Sequence, residues 1–402
     1  MAILPAAVNQ KANKTVYSVL FTISIAHFLN DMMQSVIPAV YPMLKNSFNL
    51  SFSQIGLITF TFQLSASLLQ PFVGFYTDRT PRPYSLAIGM MFTLFGLLLL
   101  SFATSFLWLL LAVCLIGVGS SIFHPESSRV AYMASGGKKG LAQSIFQVGG
   151  NSGSAIGPLL AALIVVPYGQ FYIIWFALAA ILAVIILIQI GNWYKANLHL
   201  KKASPIKTEL NETPVLPRKK VITSIGILLA LIFSKYFYMA SMTSYFTFFV
   251  IDKFNVSVQQ SQFYLFMFLA AVASGTLIGG PLGDRFGRKY IIWISILGVA
   301  PFTLMLPYAN LFWTGALAVI IGVILASAFS AILVYATDLV PGKVGMVAGL
   351  FFGFAFGMAG IGSALFGWLA DRTSIGYVFQ ICAFLPLIGV IAGFLPNVEH
   401  KK

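Results

Sequence analysis

Apolar runs of about 20 residues recur along this chain, at about 16–44, 52–77, 84–103, 106–135, 140–166, 170–193, 221–251, 258–282, 290–308, 311–338, 344–370 and 376–396. Each is long enough to cross a hydrocarbon layer about 30 Å thick as a helix, which satisfies its own backbone polar groups on the way. The runs lack the strict polar–apolar alternation of a barrel strand, so a membrane β-barrel is excluded. Only 8% of residues are charged, against about a quarter in ordinary soluble domains. The expected fold class is therefore an all-α membrane protein with twelve transmembrane helices. The opening stretch MAILPAAVNQKANK is polar and the first apolar run is too long for a cleavable signal peptide, so none is expected.

A formal net charge of +14 would suit a nucleic-acid binder, but the positions of the basic residues argue otherwise. Lys11, Lys14, Arg79, Arg82, Lys138, Lys139, the cluster from Lys195 to Lys220, Arg285, Arg288, Lys289, Lys343, Lys401 and Lys402 fall on alternate loops. The opposite loops hold only Lys45, Lys253 and Arg372. This asymmetry predicts cytoplasmic termini and a cytoplasmic central loop, with the lipid bilayer and no nucleic acid as partner. Cys114 and Cys382 lie in apolar runs, which argues for packing and against a disulfide framework.

The longest polar segment, at 195–220, carries Pro205, Pro214 and Pro217 and reads as a linker between two units, 1–194 and 221–402, of six helices each. The units echo one another. Asp78-Arg79 recurs as Asp284-Arg285 after 206 residues, and GKKG from Gly137 recurs as GKVG from Gly342 after 205. Two matches at nearly one offset, both at helix ends, indicate a parallel repeat.

The first match sits in GFYTDRTPRP and the second in GPLGDRFGRKY. Both resemble the cytoplasmic loop motif G-x-x-x-D-R-x-G-R-K of the major facilitator superfamily. The second copy has every position, as Gly280, Asp284, Arg285, Gly287, Arg288 and Lys289; the first keeps Gly74, Asp78, Arg79 and Arg82 but places Pro81 where glycine is usual. A glycine lets two helices approach closely, and the charged residues can cap a neighbouring helix or stay on the cytoplasmic side. The resemblance implies two pseudo-symmetric six-helix bundles, rocker-type alternating access and a functional monomer.

In GGNSGSAIGP of the fifth run, Gly149, Gly153 and Gly157 share one helix stripe and Pro158 follows. This resembles the G-x-x-x-G-P element of drug/proton antiporters, which favours export, although close packing alone also explains it. The eleventh run repeats the spacing with Gly349, Gly353 and Gly357.

Of ten acidic residues, only Asp31 and Glu126 fall at membrane depth. A carboxylate there costs several kcal/mol, about 3 on insertion scales, unless paired, hydrated or protonated, so both are candidates for proton coupling. Asp31 shares a polar face with His27, Asn30 and Gln34, which suits either a proton site with substrate contacts or a static hydrogen-bonded network. Glu126 lies one turn from Arg129 and close to His124, which suits either a polar cavity wall or a structural ion pair. No metal is expected, because His124 and Glu126 have no third ligand at ligand spacing. Lys235 lies mid-run in the seventh span, 204 residues after Asp31, with Tyr236 and Tyr238 beside it. Its ammonium needs an anion or water, which makes it a candidate counter-ion for Asp31 or a docking charge for an anionic substrate.

Longer strings, SSIFHPESSRVAYMASGG, AQSIFQVGGNSGS, IFSKYFYMAS and ILVYATDLVPGKVGM, resemble a narrower branch of the superfamily across essentially all twelve runs. That resemblance implies a proton-coupled exporter of small anionic phosphonates, in a bacterial inner membrane, that gives antibiotic resistance. Lys235, Arg129 and the histidines supply suitable cations. One departure is plain: Val113 stands where drug/proton antiporters usually carry an arginine before their G-x-G, here Gly117 to Gly119. A symporter or facilitator importing a sugar or organic anion is the alternative. No zinc-protease, nucleophile-elbow or nucleotide-binding motif occurs, so neither an enzyme nor a cofactor is expected and an ion gradient is the expected energy source.

Overall fold

The computed structural model describes residues 15–136, 139–198, 217–340 and 344–396. The first bundle comprises α1 (Tyr17–Ala39), α2 (Phe52–Arg79), α3 (Ser85–Phe102), α4 (Phe106–Ala134), α5 (Lys139–Leu160) and α6 (Ile174–Ala196). The second comprises α7 (Arg218–Phe254), α8 (Val258–Phe286), α9 (Arg288–Ile296), α10 (Leu311–Ala326), α11 (Val344–Arg372) and α12 (Ile375–Cys382). Further turns extend four of them: Ala161–Val165 and Val166–Tyr168 after α5, Ala300–Met305 after α9, Ala328–Leu339 after α10 and Leu385–Phe394 after α12. A short helix, Tyr41–Phe48, joins α1 to α2, and no strand occurs among the described residues.

Among the described residues, eleven helical passages are long and apolar enough to cross a membrane. The twelfth is α1, where His27, Asn30, Asp31 and Gln34 dilute the hydropathy along one face. Large apolar side chains such as Phe72, Leu107, Trp175 and Phe312 remain exposed around the outside, as a lipid-facing surface requires. Most of the linker (199–216), Lys138, Lys343 and both chain ends fall outside the described residues, and so do the side chains of Asp78, Arg79, Asp284 and Arg285, together with Gly280.

Glycines set how closely the helices meet. On α5, a side chain at Gly149, Gly153 or Gly157 would run into α1, at Ser24, at the carbonyl of Phe28 and at Ser35. The two bundles meet mainly through α2 against α11 and α5 against α8. Along the first of these seams the fit changes from end to end. Near the start of α2, a Cβ on Gly56 would lie 2.6 Å from the carbonyl oxygen of Ser363, and one on Gly367 would run into the carbonyl of Phe52. Gly353 and Gly357, further back along α11, face open space with nothing within 4 Å. The eleventh run thus repeats the spacing of the α5 glycines without their close packing at these two positions. The bundles are clamped at the end bearing the α1–α2, α7–α8 and α11–α12 connections and splayed at the other.

Candidate functional site

The splay leaves a central cavity of about 1150 Å³, walled by α1, α2, α4 and α5 of the first bundle and by α7, α8, the α10 region and α11 of the second. It reaches from Gly74, Arg129 and Leu350 at the splayed end to Tyr41, Thr59 and Ser244 at the clamped end. There the path is shut by hydrogen bonds between Tyr41 and Thr59 hydroxyls at 2.7 Å and between Thr59 and Ser244 hydroxyls at 3.3 Å. The Tyr245 hydroxyl also donates to the carbonyl of Ser363 at 2.6 Å.

His27 and Asp31 occupy one face of α1, a turn apart, and the absence of a side chain at Gly150 on α5 makes room for both. His27 Nδ1 lies 2.8 Å from the carbonyl oxygen of Phe146, whose ring stacks on the imidazole with centroids 4.0 Å apart. A carbonyl oxygen only accepts, so Nδ1 carries a hydrogen. In a neutral ring Nε2 then presents a lone pair, and it lies 3.2 Å from Asp31 Oδ2. Two lone pairs repel at that distance. The pair is stable with one shared proton, either as imidazolium and carboxylate or as imidazole and carboxylic acid. Asn30 donates to Asp31 Oδ1 at 2.9 Å, and His124 Nε2 on α4 lies 4.0 Å from the same oxygen. The His124 ring also faces Phe356 on α11, with centroids 6.3 Å apart, which brings the cluster to the second bundle.

The fold thus gives His124 partners that spacing did not reveal. His27, Asp31 and His124 place one ligand atom each within 4.8 Å of one another. A tetrahedral zinc site with ligands at about 2.1 Å has edges of about 3.4 Å. The 3.2 Å between His27 and Asp31 suits a shared proton, while the 4.0 Å between His124 and Asp31 is wider than such an edge.

Across the cavity, Lys235 of α7 is buried yet lies on the cavity wall. The expected ion pair with Asp31 is not formed: among the described residues no carboxylate lies within ion-pair distance of Lys235. Its ammonium lies over the rings of Phe329 at 5.4 Å and Tyr236 at 5.7 Å, a weaker interaction than a charge pair. Three amide nitrogens on the first bundle, Gln34 Nε2, Gln70 Nε2 and Asn151 Nδ2, are buried without a hydrogen-bond partner, and their residues line the same cavity.

Two sequence expectations need correction. Glu126 does not line the cavity; it is fully buried on the side of α4 that faces α3, paired with Arg129 and accepting from Ser85 Oγ at 3.0 Å, so of the two readings its spacing left open the structural ion pair is the one formed. Arg129 reaches the cavity and also donates to the carbonyl of Gly74 at 3.3 Å, tying α4 to α2 near the loop motif. Tyr238 is buried away from the cavity, whereas Tyr236 and Gln34 line it; Asn30 is buried and acts on Asp31. In the loop motifs, Arg82 donates to the Tyr76 hydroxyl at 2.9 Å, Lys289 donates to the carbonyl of Gly393 at 3.1 Å, and Gly287 adopts φ 96°, which favours glycine.

The placement of Glu126 carries a prediction. Glu126→Gln breaks a buried ion pair, and stability is expected to fall by about 3 kcal/mol, the low end for such pairs because Arg129 keeps another partner. Thermal unfolding of the purified protein measures it. Transport per folded molecule is expected to persist.

Two six-helix bundles around one central cavity, shut at one end and splayed at the other, define a multi-pass membrane transporter. The chain belongs to the Major Facilitator Superfamily, whose sequence pattern matches residues 23–259 and 236–402. It is 61% identical over 396 residues to the fosmidomycin resistance protein of Escherichia coli (strain K12), covering 98% of this chain and 97% of that protein. An uncharacterized MFS-type transporter of Bacillus subtilis (strain 168) is 46% identical, covering 98% of this chain and 96% of its own length. Among solved structures, a bacterial homolog of the human lysosomal transporter Spinster, in an inward-facing and occupied conformation, superposes with a TM-score of 0.74 at 16% identity. That match covers 95% of this chain and 96% of the homolog, and at this identity it speaks for the fold alone.

Proposed function

We propose that this chain is a proton-coupled antiporter of the bacterial inner membrane that exports fosmidomycin or related small anionic phosphonates and so gives resistance. The observation that carries the reading is the unpaired Lys235 ammonium on the cavity wall, facing a His27–Asp31 pair that needs one proton. A phosphonate oxygen docks on Lys235 in a charge-assisted contact. Its remaining oxygens accept from the amide nitrogens of Gln34, Gln70 and Asn151, none of which has another hydrogen-bond acceptor. The aromatic wall of Phe329, Phe352 and Phe356 takes the carbon skeleton.

The splayed end, which bears the basic loops, faces the cytoplasm together with both termini, and the clamped end faces outward. Rocking of the bundles about the site exchanges the two openings. One chain suffices, and the proton gradient supplies the energy without a cofactor.

Charge count favours a second reading, proton symport of an organic anion. With its proton the His27–Asp31 pair is neutral, so a monoanion balances Lys235 when both are aboard; without the proton the pair balances Lys235 alone. Inside-out vesicles with an acid interior and a pH-sensitive dye separate the two. Fosmidomycin added outside dissipates the gradient under antiport and steepens it under symport. Vesicles that contain folded protein and show no response would sink both.

A further inference from the structure

We propose that Asp371 holds the outer end of the transport path closed by capping α2 from the opposite bundle. Asp371 is the penultimate residue of α11, and its carboxylate reaches the first turn of α2. Oδ1 accepts from the backbone N–H of Phe52 at 2.7 Å; Oδ2 accepts from the N–H of Ser53 at 2.7 Å and from its hydroxyl.

A helix begins with four N–H groups that have no partner within it. In α2 they are divided evenly. Ser51 and Gln54 form a reciprocal capping box, with Ser51 N donating to Gln54 Oε1 at 2.9 Å and Gln54 N donating to Ser51 Oγ at 3.1 Å. The two between them, on Phe52 and Ser53, are served only by Asp371. Its negative charge also meets the positive end of a 28-residue helix. Close approach is built in, because Gly367, one turn earlier on α11, leaves room for the carbonyl of Phe52.

This division makes the contact reversible. The capping box belongs to α2 itself and survives in any arrangement of the bundles. The trans cap exists only while the bundles meet at this end. When they part, the Phe52 and Ser53 N–H groups turn to water, which they can do because these bonds are already exposed. The helix keeps its start, and the closed state alone loses the charge-assisted contacts.

The inference rests on the alternating-access reading, and its test uses no substrate and no proton gradient, so that the two fail separately. The full chain, with Cys114 and Cys382 replaced by alanine, carries spin labels at Ser47 and Thr373, both exposed at the clamped end. Pulsed electron paramagnetic resonance in lipid nanodiscs then reads the distance between them. The parent is expected to be mostly in the short-distance, closed population. Asp371→Ala is expected to raise the open-to-closed ratio about ten-fold, the size of a lost charge-assisted cap. Asp371→Asn, which keeps an acceptor oxygen but not the charge, should fall between. The Ser51 hydroxyl also hydrogen-bonds the Asp371 carboxylate, so the control is Gln54→Ala, which removes only the capping-box acceptor of Ser51 N and should lower the melting temperature without moving the ratio. An unchanged ratio in the folded Asp371 variants overturns the proposal, and so does an equal shift in Gln54→Ala, which would make the effect one of general helix weakening. Should the alanine variant not fold, the asparagine variant decides.

Discussion

Asp31→Asn is expected to reduce fosmidomycin-dependent proton movement in inside-out vesicles to the level of vesicles lacking the protein, while exchange of labelled for unlabelled fosmidomycin continues. The reason lies in what the asparagine can do for His27. With Nδ1 committed to the carbonyl of Phe146, Nε2 is the free lone pair, and it needs a hydrogen from its neighbour at 3.2 Å. In the native pair that hydrogen is a proton, which can leave. An amide NH₂ supplies it permanently. The site is then fixed in an imitation of its loaded form and releases nothing as the cavity changes sides. Folding should not suffer, since the substitution removes a charge from membrane depth. Exchange without net proton movement, followed by a dye and by labelled substrate in one vesicle preparation, is the signature. A wild-type dye response in the variant would remove this pair from the coupling mechanism.

The same pair shows how far the sequence alone reaches. Twelve apolar runs were enough for the helices, and the spacing of His27, Asn30, Asp31 and Gln34 was enough to mark a polar face on α1. That α5 would press a bare backbone at Gly150 against His27 and Asp31 was not legible, because it depends on how two helices separated by more than a hundred residues cross. Helix geometry did hold the answer for Glu126. Two residues at 3.6 per turn are about 200° of rotation, so the face that turns His124 to the cavity turns Glu126 away from it. In α7 the stripe of Lys235, Met239 and Thr243 lines the cavity and leaves Tyr238 off it. Gly353 and Gly357 are a different case. Their spacing equals that of the α5 glycines, but whether a seam between bundles is open or shut belongs to the conformation and not to the local sequence.

Lys235→Met is expected to weaken fosmidomycin binding roughly 10- to 100-fold, which corresponds to a charge-assisted contact of about 1.5–3 kcal/mol. Methionine keeps most of the apolar stem, so the aromatic wall of Tyr236 and Phe329 still has something to pack against. What disappears is a buried cation with no carboxylate at ion-pair distance among the described residues. Removing such a charge relieves a desolvation penalty, so the empty protein should melt at a higher temperature. Affinity and stability are therefore expected to move in opposite directions. A lysine that merely supported the helix packing would give the reverse, with stability lost and affinity spared. Equilibrium binding of labelled fosmidomycin to detergent-purified protein, with a melting curve on the same sample, reads both quantities. Lys235→Arg should retain part of the affinity, because the charge is kept while the donor geometry changes. Unchanged affinity in the methionine variant would move the docking charge to Arg129, which also lines the cavity.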